Sequence, residues 1–298
     1  MPPLHGEFSV ITDGVDVTHS PTDAPVQQVN SVLLDAGFTP QRGDRYDSTT
    51  YRSPCGRGTV RVDVTPRFVR CSTSGLSCAS LRDTRHWMDY LSILSSSPHS
   101  VTKVDAALDL PVDGALFFQH MCQLYPHSVS LGRKAIRTSL VASARDDGQQ
   151  TGTWYAGYRS SAKATAKVYD KAHQMLQRYG ESIPPRARVE VTAKKGFGAT
   201  LRDAAMPEAL FWHIASPALL QAPEGVPMWQ PNTDGGWEQV PRIIEPSQVL
   251  RRRVESSAEL AKLVELAASI EGGVPLLQHL LRQRVDQLAS ATVPPLTA

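Results

Sequence analysis

Polar and apolar positions along this chain follow two periods in turn. From Ser9 to His19 they alternate, which predicts a half-buried strand. From Thr22 to Ala36, Val26, Val29 and Leu33 recur at helical spacing, and Gly37 ends the run. Val60, Val62 and Val64 alternate with Arg61 and Asp63, and Arg67 to Ser72 reads as the hairpin partner across Pro66. Asp83 to Leu94 carries Trp87, Leu91 and Leu94 on one helical face. The order then recurs. Val101 to Leu110 is a strand, and Asp113 caps a helix that turns Leu116, Phe117, His120, Met121 and Leu124 inward. Strands follow at Lys134–Ser143, Thr151–Arg159 and Ala164–Tyr169, then a short helix from Asp170 to Tyr179 and a last strand at Arg186–Lys194. The pattern predicts an α+β fold: an antiparallel central sheet with helices on one side, built from two pseudo-duplicated strand–helix–strands units.

The texture changes after Lys195. Helical signals run from about Ala199 to Leu220, and Gln221 to Pro246 is rich in Pro, Gly and Trp, as in a linker or long loop. Ser256–Ile270 and Leu276–Ala289 form a C-terminal helical hairpin around Gly272-Gly273. The expected organisation is a main domain over residues 1–196, a helical extension over 197–220, a linker or loop over 221–250 and the hairpin over 251–298.

Charge adds a direction. The total is only +2, but Arg133 to Lys195 holds thirteen Lys and Arg against five Asp and Glu, a net of +8. A basic segment in a chain that is otherwise acidic fits a phosphate-backbone surface. A merely solvated basic face is the bland alternative. No apolar run reaches the ~18 residues of a membrane helix, and no basic stretch followed by an apolar one opens the chain. Cys55, Cys71, Cys78 and Cys122 lack the short paired spacing of a zinc site, so free thiols and a cytoplasmic location are expected.

Three strands carry candidate chemistry. On Val101–Leu110, Lys103, Asp105, Ala107 and Asp109 share one face. Like charges on one face need a cation or basic groups between them. On Arg186–Lys194, Glu190 is the one acid in a row with Arg186, Arg188, Thr192 and Lys194. Asp105, Asp109 and Glu190 together would hold Mg²⁺ or Mn²⁺, since hard cations take oxygen ligands. Exposed acids on an edge strand and a cross-strand salt bridge are the alternatives. On Thr151–Arg159, Tyr155 falls on the polar face with Arg159, whereas Tyr158 shares the Trp154 face, and Gly157 leaves room for a backbone to approach. A phenol needs help to act as a nucleophile. Lys167, Tyr169 and Lys171 share a face of the next strand, so either lysine can supply it.

These motifs, in this order, resemble the replication initiation factor family, the rolling-circle replication initiators of plasmids and filamentous phages, whose relatives include conjugative relaxases. The resemblance runs from about Ser9 to Lys195. It rests on Cys71-Ser72-Thr73-Ser74-Gly75-Leu76-Ser77-Cys78 as a turn before the Trp87 helix, on Val101–Asp109, on Tyr155-Ala156-Gly157-Tyr158-Arg159-Ser160 with Val168-Tyr169-Asp170-Lys171, and on Arg188-Val189-Glu190. Lys103 and Lys167 stand where the family usually has arginine, which keeps the charge and loses the bidentate fork. The resemblance implies a fold related to the HUH nucleases without their paired histidines. It implies site-specific nicking and joining of DNA, with Tyr155 as nucleophile, Lys171 beside it, Asp105, Asp109 and Glu190 on a divalent metal, and Arg159, Lys167, Tyr169 and Arg188 against the DNA. The expected partners are origin DNA, single-stranded or in a hairpin, with a host helicase and polymerase, no membrane, and a homodimer through the C-terminal hairpin. A relaxase with the same chemistry and a non-catalytic DNA-binding protein on the same scaffold are the alternatives.

Overall fold

The computed structural model describes residues 9–42, 47–131, 134–157, 162–231 and 258–292. Two compact units divide the chain, Met1–Glu238 and Gln239–Ala298. The first is α+β, built on one large antiparallel sheet.

Eleven strands form that sheet in the order β2-β3-β4-β5-β1-β6-β11-β10-β9-β8-β7. Strands β1 (Ile11–His19) and β6 (His99–Leu110) pair at its middle. Each is followed by a helix, α1 (Val26–Asp35) and α4 (Gly114–Leu124). The chain then restarts near an outer edge and meanders back toward the centre. On one side run β2 (Thr39–Arg42), β3 (Asp47–Arg52), β4 (Thr59–Val64) and β5 (Val69–Ser74), which ends beside β1. On the other run β7 (Ser128–Leu131), β8 (Lys134–Ala144), β9 (Gln150–Ala156) and β10 (Ala164–Asp170). After α5 (Lys171–Tyr179), β11 (Ala187–Lys194) enters between β6 and β10. The hydrophobic core explains the arrangement. Val104, Ala106 and Leu108 of β6 and Val189 and Val191 of β11 are wholly buried, and form one cluster with Phe118 of α4 and the residues that follow the sheet.

Those residues are α6 (Leu201–Ala205) and α7 (Glu208–Ala215), whose Leu210, Phe211 and Ile214 are buried in the same core. The segment after them is tied down too: Trp229 donates from its ring N–H to Asp203 Oδ1 at 2.9 Å and stacks on Phe197 with ring centroids 4.9 Å apart. The stretch read from sequence as an extension and the start of a loop is thus part of the first unit as far as Pro231.

Local predictions hold where two signals agree and fail where one is missing. Asp113 and Asp170 cap α4 and α5 by accepting from the Leu116 and His173 backbone N–H at 2.9 and 3.0 Å. The expected inward face of α4 is shifted. Ala115, Phe118 and Met121 are buried, while Leu116 and Leu124 are exposed. The turn expected over Cys71–Cys78 is instead the end of β5 and the start of helix α2 (Gly75–Asp83), and α3 (Trp87–Ser95) follows separately where one helix over Asp83–Leu94 was expected. All four cysteines are free, two of them buried. No helix among the described residues is long and apolar enough to cross a membrane.

In the second unit, α8 (Ala258–Ala268) and α9 (Gly273–Thr292) form a helical hairpin. Gly272 makes the turn at φ +71°, a conformation that side chains with a Cβ rarely adopt.

Candidate functional site

Cross-strand register places the charged residues. Directly paired residues in adjacent strands share a sheet face. Tyr155 of β9 pairs with Lys167 of β10, and Lys167 pairs with Glu190 of β11. These three therefore make one row across the sheet. The next row is Thr153, Tyr169, Arg188 and Asp109, and the row on the other side ends in Thr192 and Asp105. Alternation sends Val189, Val191, Ala106 and Leu108 to the core and leaves these polar side chains on the opposite face.

Strand β1 completes the site through an irregularity. Its pairing with β6 slips between Thr12 and Gly14, so Asp13 is the extra residue of a bulge. Thr12 points to the helices and donates to the Ala204 carbonyl at 2.6 Å. Asp13 and Gly14 both face the charged side. Asp13 Oδ1 accepts from Arg188 Nη1 at 2.9 Å. A Cβ on Gly14 would lie 2.7 Å from Asp105 Oδ2, so the glycine is what admits that carboxylate.

The charges are paired. Arg188 closes a two-pronged fork on Asp109, Nε to Oδ1 at 2.6 Å and Nη2 to Oδ2 at 2.8 Å, and its side chain is only 8% exposed. Arg186 stands 3.7 Å from the same carboxylate. Asp105 takes a hydrogen bond from Thr192 Oγ1 at 2.7 Å on one oxygen and Lys103 Nζ at 2.7 Å on the other. Lys167 Nζ lies 2.6 Å from Glu190 Oε1. The second oxygen, Glu190 Oε2, is buried with no hydrogen-bond partner. Burial pushes Glu190 up to about 7, against the pull of Lys167 and with the help of Asp105 and Asp13. Burial also opposes the Lys167 charge, but Glu190 outweighs it and holds the ammonium above its usual range.

Lys171 differs from the other basic groups. It opens α5, and its Nζ donates to Gln174 Oε1 at 2.8 Å. Burial, reinforced by Arg188, lowers its proton affinity. Tyr169 lies beneath both lysines, its ring centroid 5.6 Å from Lys167 Nζ and 6.0 Å from Lys171 Nζ. It is buried, and burial together with Glu190 drives its phenol well above the ordinary range. Its ring thus lies near both amines. Tyr155 is half-buried on the open row, whereas its neighbour Trp154 is buried on the core side with its ring N–H toward the Tyr125 carbonyl.

The structure thus brings Tyr155, Lys167 and Glu190 into one row of the sheet, with Lys171 near Tyr169 of the neighbouring row. It does not bring Asp105, Asp109 and Glu190 to a common point. Asp105 and Asp109 are four residues apart on one strand, roughly 13 Å at ~3.4 Å per residue, whereas ligands of one ion sit within ~2.6 Å of it. Both oxygens of Asp109 are taken by Arg188. Among the described residues no group of three or more His, Cys, Asp and Glu is disposed to hold a metal ion. The metal triad expected from sequence does not fit this arrangement. Arg188, expected against DNA, is instead buried between two carboxylates. Arg159, with Tyr158, lies outside the described residues. Asp13 escaped the sequence reading. Its signal was a glycine inside an alternating strand, which marks a bulge.

No protein-family model and no curated protein matches the chain. Among solved structures it is similar to a rolling circle replication initiator protein from Geobacillus stearothermophilus, at 17% identity and a TM-score of 0.46, over 63% of this chain and 75% of that one. At that level the likeness supports no argument about chemistry.

Proposed function

We propose that this chain nicks and rejoins DNA in the manner of a rolling-circle replication initiator, with Tyr155 as the nucleophile. The observation that carries the reading is the row Tyr155–Lys167–Glu190. A half-buried tyrosine paired across the sheet with a part-exposed lysine suits attack on a phosphodiester. The Tyr155 oxygen forms a bond to phosphorus and the bond to the 3′-oxygen breaks. The products are a 5′-phosphotyrosyl link and a free 3′-OH. The phenol proton is taken by a base and returned to the departing 3′-oxygen, a role we assign to Lys171. Lys167, fixed by Glu190, faces the negative charge that develops on the phosphate. The reverse sequence rejoins the strand without a nucleotide cofactor.

Mg²⁺ or Mn²⁺ remains part of the family expectation. An ion here would need Asp105 and Glu190 to exchange Lys103 and Lys167 for it, and no step above is routed through it. Origin DNA in single-stranded or hairpin form is the proposed substrate, and a conjugative relaxase would use the same residues. A non-catalytic DNA-binding protein is the second reading. It is favoured by the mutual pairing of the acids and bases, which engages the carboxylates that a catalytic metal would need.

The test is Tyr155→Phe, which deletes one oxygen at nearly constant volume. Purified protein is incubated with supercoiled plasmid carrying the element's own origin, with and without Mn²⁺. Wild type should give open circles covalently attached to protein. The variant should bind the same DNA and give neither nick nor adduct. An adduct mapped by mass spectrometry to another tyrosine would overturn the assignment, and binding without any nick in wild type would favour the second reading.

A further inference from the structure

Arg137 stands apart from the bases described so far. Ile136 and Thr138 of β8 turn to the core side, where Ile136 is buried and Thr138 Oγ1 donates to the Tyr125 carbonyl at 3.0 Å. Arg137 and Ser139 therefore take the opposite face, the one that carries the charged rows. Ser139 pairs directly with Tyr155. The Gly157 N–H donates to the Arg137 carbonyl at 2.9 Å, which sets Arg137 opposite Gly157. Arg137 is thus a diagonal neighbour of Tyr155, ~7–8 Å away between backbones and within reach of a long side chain. Lys167 flanks Tyr155 from the other neighbouring strand.

Its charge is also uncommitted. Lys103 leans on Asp105, Lys167 on Glu190, and Arg188 on Asp109 and Asp13. Arg137 is exposed and has no acid partner among the described residues. A base that holds a carboxylate must release it before it can hold a phosphate, and Arg137 needs no such exchange. Its planar fork of donors matches two phosphate oxygens, which a single ammonium does not. We infer that Arg137 clamps the scissile phosphate of a DNA strand over Tyr155, with its guanidinium on the two non-bridging oxygens. Lys167 then meets the same phosphate from one side and Arg137 from the other. The inference rests on the nicking reading above, and it adds a residue that the motifs of the sequence did not single out.

Affinity for single-stranded oligonucleotides spanning the element's own origin tests it, in the Tyr155→Phe chain so that no cleavage intervenes. The nicked phosphate is first mapped with wild type. Arg137→Gln should weaken binding roughly 10- to 100-fold, the worth of one charge-assisted contact, and Arg137→Lys should recover part of that. An unchanged thermal midpoint separates this from damage to the fold. A methylphosphonate at the mapped position, which is neutral, should weaken binding by a similar factor when Arg137 is present and leave Arg137→Gln with no further loss. With Tyr155 intact, Arg137→Gln should slow nicking by at least the same factor at limiting DNA. Unchanged binding in Arg137→Gln, or a loss that persists in full on the methylphosphonate strand, would overturn the inference. The nicking reading fails separately: if wild type binds and makes no nick, methylphosphonates are placed at each position in turn. Coupling of Arg137 to one position upholds the phosphate contact without the chemistry, and coupling to none overturns both.

Discussion

Replacing Arg188 with methionine tests what the guanidinium is for. In the folded chain it forks onto Asp109 at 2.6 and 2.8 Å and reaches Asp13 at 2.9 Å, with 8% of its side chain exposed. Methionine keeps the bulk and removes the charge. Two carboxylates, 23% and 18% exposed, then face each other without their shared partner. Removing one member of a buried ion pair costs ~3–5 kcal/mol, mostly as the stranded charge. The partial exposure of the acids, and Arg186 at 3.7 Å from Asp109, place Arg188→Met near the lower end, at about 3 kcal/mol. Urea unfolding followed by tryptophan fluorescence reads the loss as a lower midpoint at constant slope. In a double-mutant cycle, Asp109→Asn on top of Arg188→Met should cost much less than the sum of the singles, by ~1–3 kcal/mol, because the stranded charge is gone. A guanidinium that instead served phosphate would behave differently: stability would move by less than ~0.5 kcal/mol while DNA affinity fell. That outcome would refute the structural role.

Two further predictions concern pH, and they act in opposite directions, so each is read as the difference between variant and wild type. Glu190 is raised from 4.5 to about 7, chiefly by burial, so its contribution to stability is complete below about 4.5 and is lost as pH rises through 7. Glu190→Gln should flatten that descent, and an unchanged slope between those values would show that the carboxyl is not desolvated. His19 is lowered from 6.5 to about 4, by burial first and His99 second, so its contribution is complete above 6.5 and is lost as pH falls through 4. His19→Gln should be less sensitive to acid over that window, and a wild-type acid limb in the variant would argue against a neutral buried imidazole.

Much of the sheet was legible because its strands obey a period of two with strong contrast. Val104, Ala106 and Leu108 against Asp105 and Asp109 predict a face for every side chain of β6, and the structure keeps that assignment. The same holds for Tyr155 and Trp154 on β9. Strands β2 and β3 were missed because Thr39–Arg42 and Asp47–Arg52 are mostly polar, and pairing rather than pattern makes them strands. On α4 the apolar residues run nearly all round, so periodicity alone did not choose between Phe117 and Phe118. The site itself was half legible. A sequence reveals which acids and bases share a face, but not which of them neutralise each other. Arg188 meeting Asp109 is a property of register between strands 79 residues apart. Asp13 required knowing that a bulge turns two consecutive residues the same way.

The position of β11 has a consequence for the order in which the molecule is made. It is the last strand among the described residues, yet it lies between β6 and β10. Until it is inserted, both neighbours present open edges, and each can pair wrongly with another chain. Asp109 and Asp13 likewise wait for an arginine that is 175 residues beyond Asp13. Such distant contacts form late, after the cost of closing the loop has been met. A ribosome-bound chain halted before Ala187 therefore carries Tyr155 and Lys167 but lacks Glu190. It has the proposed nucleophile without its setting, and the row of Tyr155, Lys167 and Glu190 comes into being only when the sheet is sealed.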